Sequence, residues 1–318
     1  MKKRSLIAAT SAMLLLTTAC GSSNEAPAAQ AEGKKKITVA AMAISNTAPI
    51  WLGKEKGFFE AEGLDLTIEP VAGGADIPGV VSGNYDFAFG NVMSVFVAKE
   101  QGLDLRFVSN AASASNSVES DSGAVIAPEG SGIKSAADLA GKKVSVNNLN
   151  NIGDTTVRSA VEAAGGDPQS IEFVEIDFPN VAAALETKQI EAGWVTEPFM
   201  TTAIADGAHV VSYNFKETHP KLDIAGYFTK GEVIEQDPEL VKSFQAAMKE
   251  SLEYAQQNPD EVRDIIATYT KMDAAVLDKI ILPDFRPDFD KEALTGLGDS
   301  AVKYGTLKQA PNLEELLP

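Results

Sequence analysis

Short β-rich runs alternate with helical stretches along most of this chain, and that alternation limits the architectures open to it. KKITVAAMA places Ile37, Val39 and Ala41 on one side of a strand, and LDLTIEPV sets Leu64, Leu66 and Ile68 against Asp65, Thr67 and Glu69. Such a two-residue period marks a half-buried strand. APIWLGKEKGFF, with Ile50, Trp51, Lys54 and Phe58 at helical spacings, lies between them. DFAFG, LRFVSNAA, GAVIAPEG, KKVSVNN, IEFVEI and AGWV continue the strands. NVMSVFVAKEQG, SAADLA, DTTVRSAVEAAGG, VAAALETKQ and TEPFMTTAIADG continue the helices, and AGGADIPGVVSG opens one on glycines. The expected class is α/β, a parallel or mixed sheet with helices on both faces. From about Asp237 the chain reads as largely helical, with Leu240, Phe244, Met248 and Leu252 recurring at i+4 on one buried face.

The chain has 318 residues, enough for two lobes, and a formal charge of -18. So acidic a surface argues against nucleic acid or anionic lipid as a partner. Cys20 is the only cysteine, so no disulfide is expected. His209 and His219 lie near no cysteine or acid cluster at metal-ligand spacing, so neither a metal nor a cofactor is expected.

The N-terminus carries Lys2, Lys3 and Arg4, an apolar run from Leu6 to Leu16, small residues Thr17 to Ala19, and then Cys20. The run suits a signal-peptide core and is too short to span a bilayer. It resembles a bacterial lipoprotein signal, in which the cysteine is lipidated and becomes the new N-terminus. Thr17 stands where that pattern usually has leucine. The resemblance implies a signal over 1–19, then a lipidated Cys20 and polar tether over 20–35, placing the protein on the extracytoplasmic face of the cell membrane.

Two stretches echo each other. VVSGNYDFAFGN and ALETKQIEAGWVTE each run from a helix end through a polar turn and an acid (Asp86, Glu191) into a short apolar strand and a polar loop. Two lobes of similar build are expected, each presenting loops at the carboxyl ends of its strands, where open α/β sheets bind ligands.

AISNTAPIWLGKEKGFFEAEGLDL, SGNYDFAFGNVMS and AGWVTEPFM together resemble the substrate-binding proteins of ABC importers in the nitrate, sulfonate, taurine and thiamine-precursor group. The resemblance implies a fold like the type II periplasmic binding proteins: two α/β lobes joined by two crossover strands, with a cleft between. It implies one lobe over 36–121 plus 212–318 and the other over 122–211. It also implies a monomer that grips a small-molecule solute without chemistry and hands it to a permease and its ATPase. Two alternatives stand beside it. One is a pyrimidine-synthesis-type enzyme on the same fold, whose cysteine-rich motif is absent here. The other is a lipoprotein that senses a ligand without importing it.

Candidate contacts come from the helix-opening loops. Ser45, Asn46 and Thr47 match the first cleft loop, and one of them is expected to cap the following helix. Gly73 and Gly74 admit close backbone approach or simply turn the chain. Gly90 and Asn91 end a strand and open a helix, with Asn91 as cap, contact or both. In the loop Asn147–Thr156, Asn151, Gly153 and Thr155 are candidates, with Asp154 or Thr155 expected to cap. Asn180 opens another helix. Trp194 ends a strand near the cleft and is a stacking candidate, whereas Trp51 reads as core. Thr196 reads as an N-cap, and Glu197 either accepts from a ligand or sits at the helix start for its dipole.

Overall fold

A computed structural model describes residues 33–117 and 119–318. The expected signal, Cys20 and nearly all of the tether lie outside the described residues. Among the described residues, ten strands form two five-stranded sheets: β1 (Lys35–Ala41), β2 (Leu64–Pro70), β3 (Phe87–Asn91), β4 (Leu105–Ser113), β5 (Gly123–Pro128), β6 (Lys143–Val146), β7 (Glu172–Glu175), β8 (Ala192–Thr196), β9 (Ala208–Ser212) and β10 (Asp223–Lys230). One sheet has the order β2-β1-β3-β10-β4 and the other β7-β6-β8-β5-β9. In the first, β1 runs parallel to β2 and β3, and β10 runs antiparallel to β3 and β4. In the second, β6 runs parallel to β7 and β8, and β5 runs antiparallel to β8 and β9. The class is α/β with mixed sheets, one in each of two lobes.

The two sheets repeat one plan, and the sequence echo marks it. Asp86 and Glu191 stand just before the third strand of each sheet's order. The Asp86 carboxylate accepts from Thr38 N–H of β1 at 2.8 Å, and Glu191 accepts from Lys143 N–H of β6 at 3.1 Å. Their own N–H groups return bonds of 2.9 Å to the same two residues. Each acid thus fixes where its central strand starts to pair.

Sequence periodicity assigns nothing over 208–236, where the structure has β9, β10 and two short helices, Asn214–Thr218 and Gly231–Gln236. All but the last residue of β10 is buried, because it lies between two strands and under helices on both faces. A strand covered on both sides has no polar alternation to read. The chain passes between sheets twice, over 114–122 and over 213–222.

The helical tail packs beside the β1 sheet. Along helix Pro238–Gln257, Leu240, Phe244, Met248 and Leu252 are buried, as their spacing implies. Phe244 stacks on Phe87 of β3 at 4.1 Å, which joins the tail to the sheet's centre. Among the described residues no helix is long and apolar enough to cross a membrane.

Candidate functional site

The loops at the carboxyl ends of the strands in the two sheets meet. Ser45, after β1, donates its backbone N–H to the carbonyl of Glu197, after β8, at 3.1 Å. Asn151, after β6, donates its side-chain amide to the Ser94 hydroxyl, beyond β3, at 2.9 Å. Gly73 and Gly74 lie against Asn147 and Asn148: a Cβ on Gly73 would stand 2.8 Å from Asn148 Oδ1 and 2.9 Å from Asn147 Nδ2. Gly74 has φ +83, a turn conformation open to glycine. So the structure brings together Ser45, Asn46, Gly73, Gly74, Gly90, Asn91, Asn151 and Glu197, along one seam.

Local chemistry explains how each is held. Asn91 caps helix Val92–Glu100, its side chain accepting from Ser94 N–H at 2.9 Å. Ser94 thereby links the cap of one lobe to Asn151 of the other. Asn151, rather than Asp154 or Thr155, is the N-cap of helix Ile152–Ala163. Asp154 at the third position reciprocates, accepting from Asn151 N–H and Asn150 N–H at 2.7 Å each. This is a capping box, in which two side chains satisfy each other's bare N–H groups.

Several expectations fail on geometry. None of Ser45, Asn46 and Thr47 caps helix Ala48–Lys56 through its side chain. The Thr47 hydroxyl instead donates to the carbonyls of Met42 at 2.8 Å and Ile44 at 3.0 Å. The three residues form a 3-10 turn, and Pro49 near the helix start has no N–H to satisfy. Thr196 is not a cap either: it still pairs within β8, opposite Gly123. Glu197 does that work for helix Phe199–Ala205. Its carboxylate accepts from Thr201 N–H at 3.0 Å, Thr201 Oγ1 at 2.7 Å and Ile281 N–H at 3.1 Å.

Trp194 is not a stacking platform. It is 3% exposed, wedged edge-on against Phe178 and Phe215 at 5.2 and 5.5 Å. Its ring fills the space a side chain at Gly153 would need, only 2.6 Å from a Cβ there. Gly153 therefore lets the helix start sit on the ring instead of facing a ligand. Thr155 instead meets the helical tail, its hydroxyl 3.3 Å from that of Thr306. Asn180 stands exposed at the start of helix Val181–Glu186 and has no part in these contacts. Trp51 stacks on Tyr269 at 4.8 Å, whose hydroxyl donates to the Ile44 carbonyl and steadies the first loop.

Sequence reading misses Asp76. It lies three residues beyond Gly73, opens helix Asp76–Val81, and is 8% exposed. Its Oδ2 would stand 2.7 Å from a Cβ on Gly90. Burial pushes its carboxyl up to about 6, against the pull of backbone N–H groups at Gly74, Asp76 and Ile77. Glu197 and Asp154 are also pushed up by burial, partly offset by the bonds they accept. Asp121, in the first crossing, is raised to about 6 by burial as well, and its Oδ2 has no partner among the described residues. Acids thus dominate the charges at the seam, while at the hinge Lys216 lies near Asp121. Among the described residues no group of three or more His, Cys, Asp or Glu is placed to hold a metal ion.

A family model described as NMT1/THI5 like matches residues 44–262, more than half of the chain. The chain belongs to that family. The match takes in β2 to β10 and leaves out β1 and the last helices. A putative binding protein of Brucella abortus is 26% identical over 271 residues, covering 81% of this chain and 82% of the relative. A 4-amino-5-hydroxymethyl-2-methylpyrimidine phosphate synthase of Legionella pneumophila is 25% identical over 229 residues, covering 69% and 68%. The fold is shared with the ligand binding component of an ABC-type import system from Staphylococcus aureus, at TM-score 0.78 and 14% identity over 89% of this chain and 96% of that one. It is shared also with the periplasmic aliphatic sulphonate binding protein of Escherichia coli, at TM-score 0.69 and 15% identity over 88% and 96%. The architecture is thus that of the type II periplasmic binding proteins.

Proposed function

We propose that this protein is the extracytoplasmic solute receptor of an ABC importer, tethered to the membrane through a lipidated Cys20. It closes two lobes on a small nutrient and passes it, chemically unchanged, to a permease and ATPase. The solute classes the resemblance brings are sulfonate-, taurine- or nitrate-like molecules and vitamin precursors. The lobes divide near 121 and 212, and the protein acts as a monomer.

The observation that carries this reading is the seam. Opposed strand-end loops on two lobes, joined by two chain crossings among the described residues, touch through a few hydrogen bonds such as Ser45 to Glu197, and Lys303 and Tyr304 of helix Lys291–Tyr304 reach Glu162 of the other lobe. Two such lobes can part and close by rotation at the crossings. A solute bonded to both sides favours the closed form by its differential contacts. A Kd near 1 μM needs about 8 kcal/mol, within reach of a buried site with several polar partners. The enzyme alternative keeps two supports, the Legionella phosphate synthase and a fold shared with the desulfurization enzyme DSZB at TM-score 0.65.

Small-angle scattering with a solute library, followed by mass spectrometry of the recovered solute, tests this. Compaction with unchanged solute is expected. No compaction with any solute, or conversion of the solute, overturns it.

A further inference from the structure

Helix Lys291–Tyr304 hangs from one lobe and reaches the other. At its start, Asp290 N–H donates to the Asp223 carboxylate of β10 at 2.5 Å. Beyond its end, Lys308 N–H donates at 2.7 Å to Glu100, the last residue of helix Val92–Glu100. Both anchors belong to the lobe of the β1 sheet. In the last turn, Lys303 donates to a Glu162 carboxylate oxygen at 2.5 Å, and the Tyr304 hydroxyl donates to the same oxygen at 2.7 Å. Glu162 lies on helix Ile152–Ala163 of the other lobe, whose Thr155 meets Thr306 at 3.3 Å.

A second observation is independent of those bonds. Glu162 stands in the last turn of its own helix, where the macrodipole disfavours a negative charge. Lys303 stands in the last turn of its helix, where a positive charge is favoured. The acid is thus badly placed for its own lobe and well placed for the other. Lys303 and Tyr304 hold its carboxyl below the ordinary range. Beside these contacts a groove of about 320 Å³ opens between Ser159 and Ala163 on one helix and Gly296 and Ser300 on the other, bordered by Thr218 and His219 of the second crossing. A Cβ on Gly296 would touch nothing within 4 Å. The groove interrupts the packing between the helices, and polar contacts close the joint beside it.

We propose that Glu162, Lys303 and Tyr304 form a latch that draws the two lobes together without any solute, and thereby sets how tightly every solute is held. This rests on the solute-receptor reading and concerns its regulation. A receptor that binds through its closed form has an apparent affinity that scales with the fraction closed beforehand. Raising that fraction strengthens the hold on all solutes by one factor, whatever their chemistry. Lys303 and Glu162 are exposed, and exposed pairs contribute little, so the latch biases the equilibrium and leaves solute contacts to complete it.

Amide exchange in the unliganded protein tests this, because Ser45 N–H is bonded across the seam to Glu197 and is freed when the lobes part. Glu162→Lys and Lys303→Glu are each expected to speed Ser45 exchange about twofold to fivefold at low salt. Combining them restores opposite charges and is expected to return the rate toward the parent's. Exchange at Val39 in β1 and Val144 in β6 should hold at the parent rate, which shows both lobes folded. Ser45 exchange unmoved by either single change, or a double variant no slower than the singles, overturns the latch. If solutes still compact such a protein, the receptor reading stands without it. If the latch variants behave as expected but no solute compacts the protein, the receptor reading falls, and with it the role in affinity, while the contact between lobes stands.

Discussion

Asn151 donates its side-chain amide to the hydroxyl of Ser94 across the seam at 2.9 Å, while its side-chain oxygen accepts from Ile152 N–H at 2.6 Å. One residue therefore both starts a helix in its own lobe and holds the other lobe. The two roles separate by mutation. Ser94→Ala removes the bridge alone and should cost about 1 kcal/mol of closure. Asn151→Ala removes cap and bridge, and should cost about 1 kcal/mol more of global stability. Urea unfolding with a double-mutant cycle between the two positions is expected to show coupling of about 0.5–1.5 kcal/mol.

Gly153→Ala sets a methyl 2.6 Å from the Trp194 ring. Both groups are deep in the lobe, so the helix start must shift. Overpacking of this kind costs about 1–3 kcal/mol. Chemical denaturation should show it, together with a change in tryptophan fluorescence. Gly73→Ala meets side-chain ends of Asn147 and Asn148 across the seam instead. It should leave stability nearly unchanged and enlarge the radius of gyration by holding the lobes apart.

Acidity should stabilise this protein over one window. Asp76 and Asp121 are raised from 3.8 to about 6 in the folded state, so the fold binds protons there that the unfolded chain does not. Their charged forms therefore burden the fold above about pH 6, and the burden lifts as pH falls from 6 toward 4. Each amounts to about 3 kcal/mol, taking roughly 1.4 kcal/mol per unit. Asp104, Glu191 and Asp237 are held low by basic neighbours, so their support disappears only at more acid pH. The melting temperature should peak near pH 4, and Asp76→Asn with Asp121→Asn should flatten the rise between pH 6 and 4.

Phe244→Ala empties the stack on Phe87 at the centre of the β1 sheet. A cavity there costs about 3–5 kcal/mol. Differential scanning calorimetry should register a large fall in melting temperature.

Cys20→Ser should release the protein from membranes into the soluble fraction, because stable anchoring takes two acyl chains. Fractionation of cells expressing both forms checks it.

What the sequence showed depended on how each element meets water. β2 alternates openly, with Leu64, Leu66 and Ile68 buried and their neighbours exposed, so it was legible. β10, covered on both faces, was not. The Asp86 and Glu191 echo was legible because a strand-start acid keeps both its spacing and its partner. At the site, the glycine and asparagine loops stood out as helix openings. Which of them face a partner lobe was hidden, since that depends on contacts between residues far apart in the chain, such as Ser94 and Asn151. Trp194 misled for a related reason: ending a strand near a cleft does not say which face of the sheet a ring takes. Asp76 went unread because an acid at a helix start has an ordinary use, and only its burial against Gly90 sets it apart.

β4 ends where β10 begins, with Ser113 opposite Asp223, so the chain goes out and comes back through one doorway. A door hung on a single cord swivels freely, whereas one hung on two side-by-side cords swings about a single line. On the receptor reading proposed above, the paired crossings leave the lobes one easy motion, and a solute between them meets the same two rims in the same register.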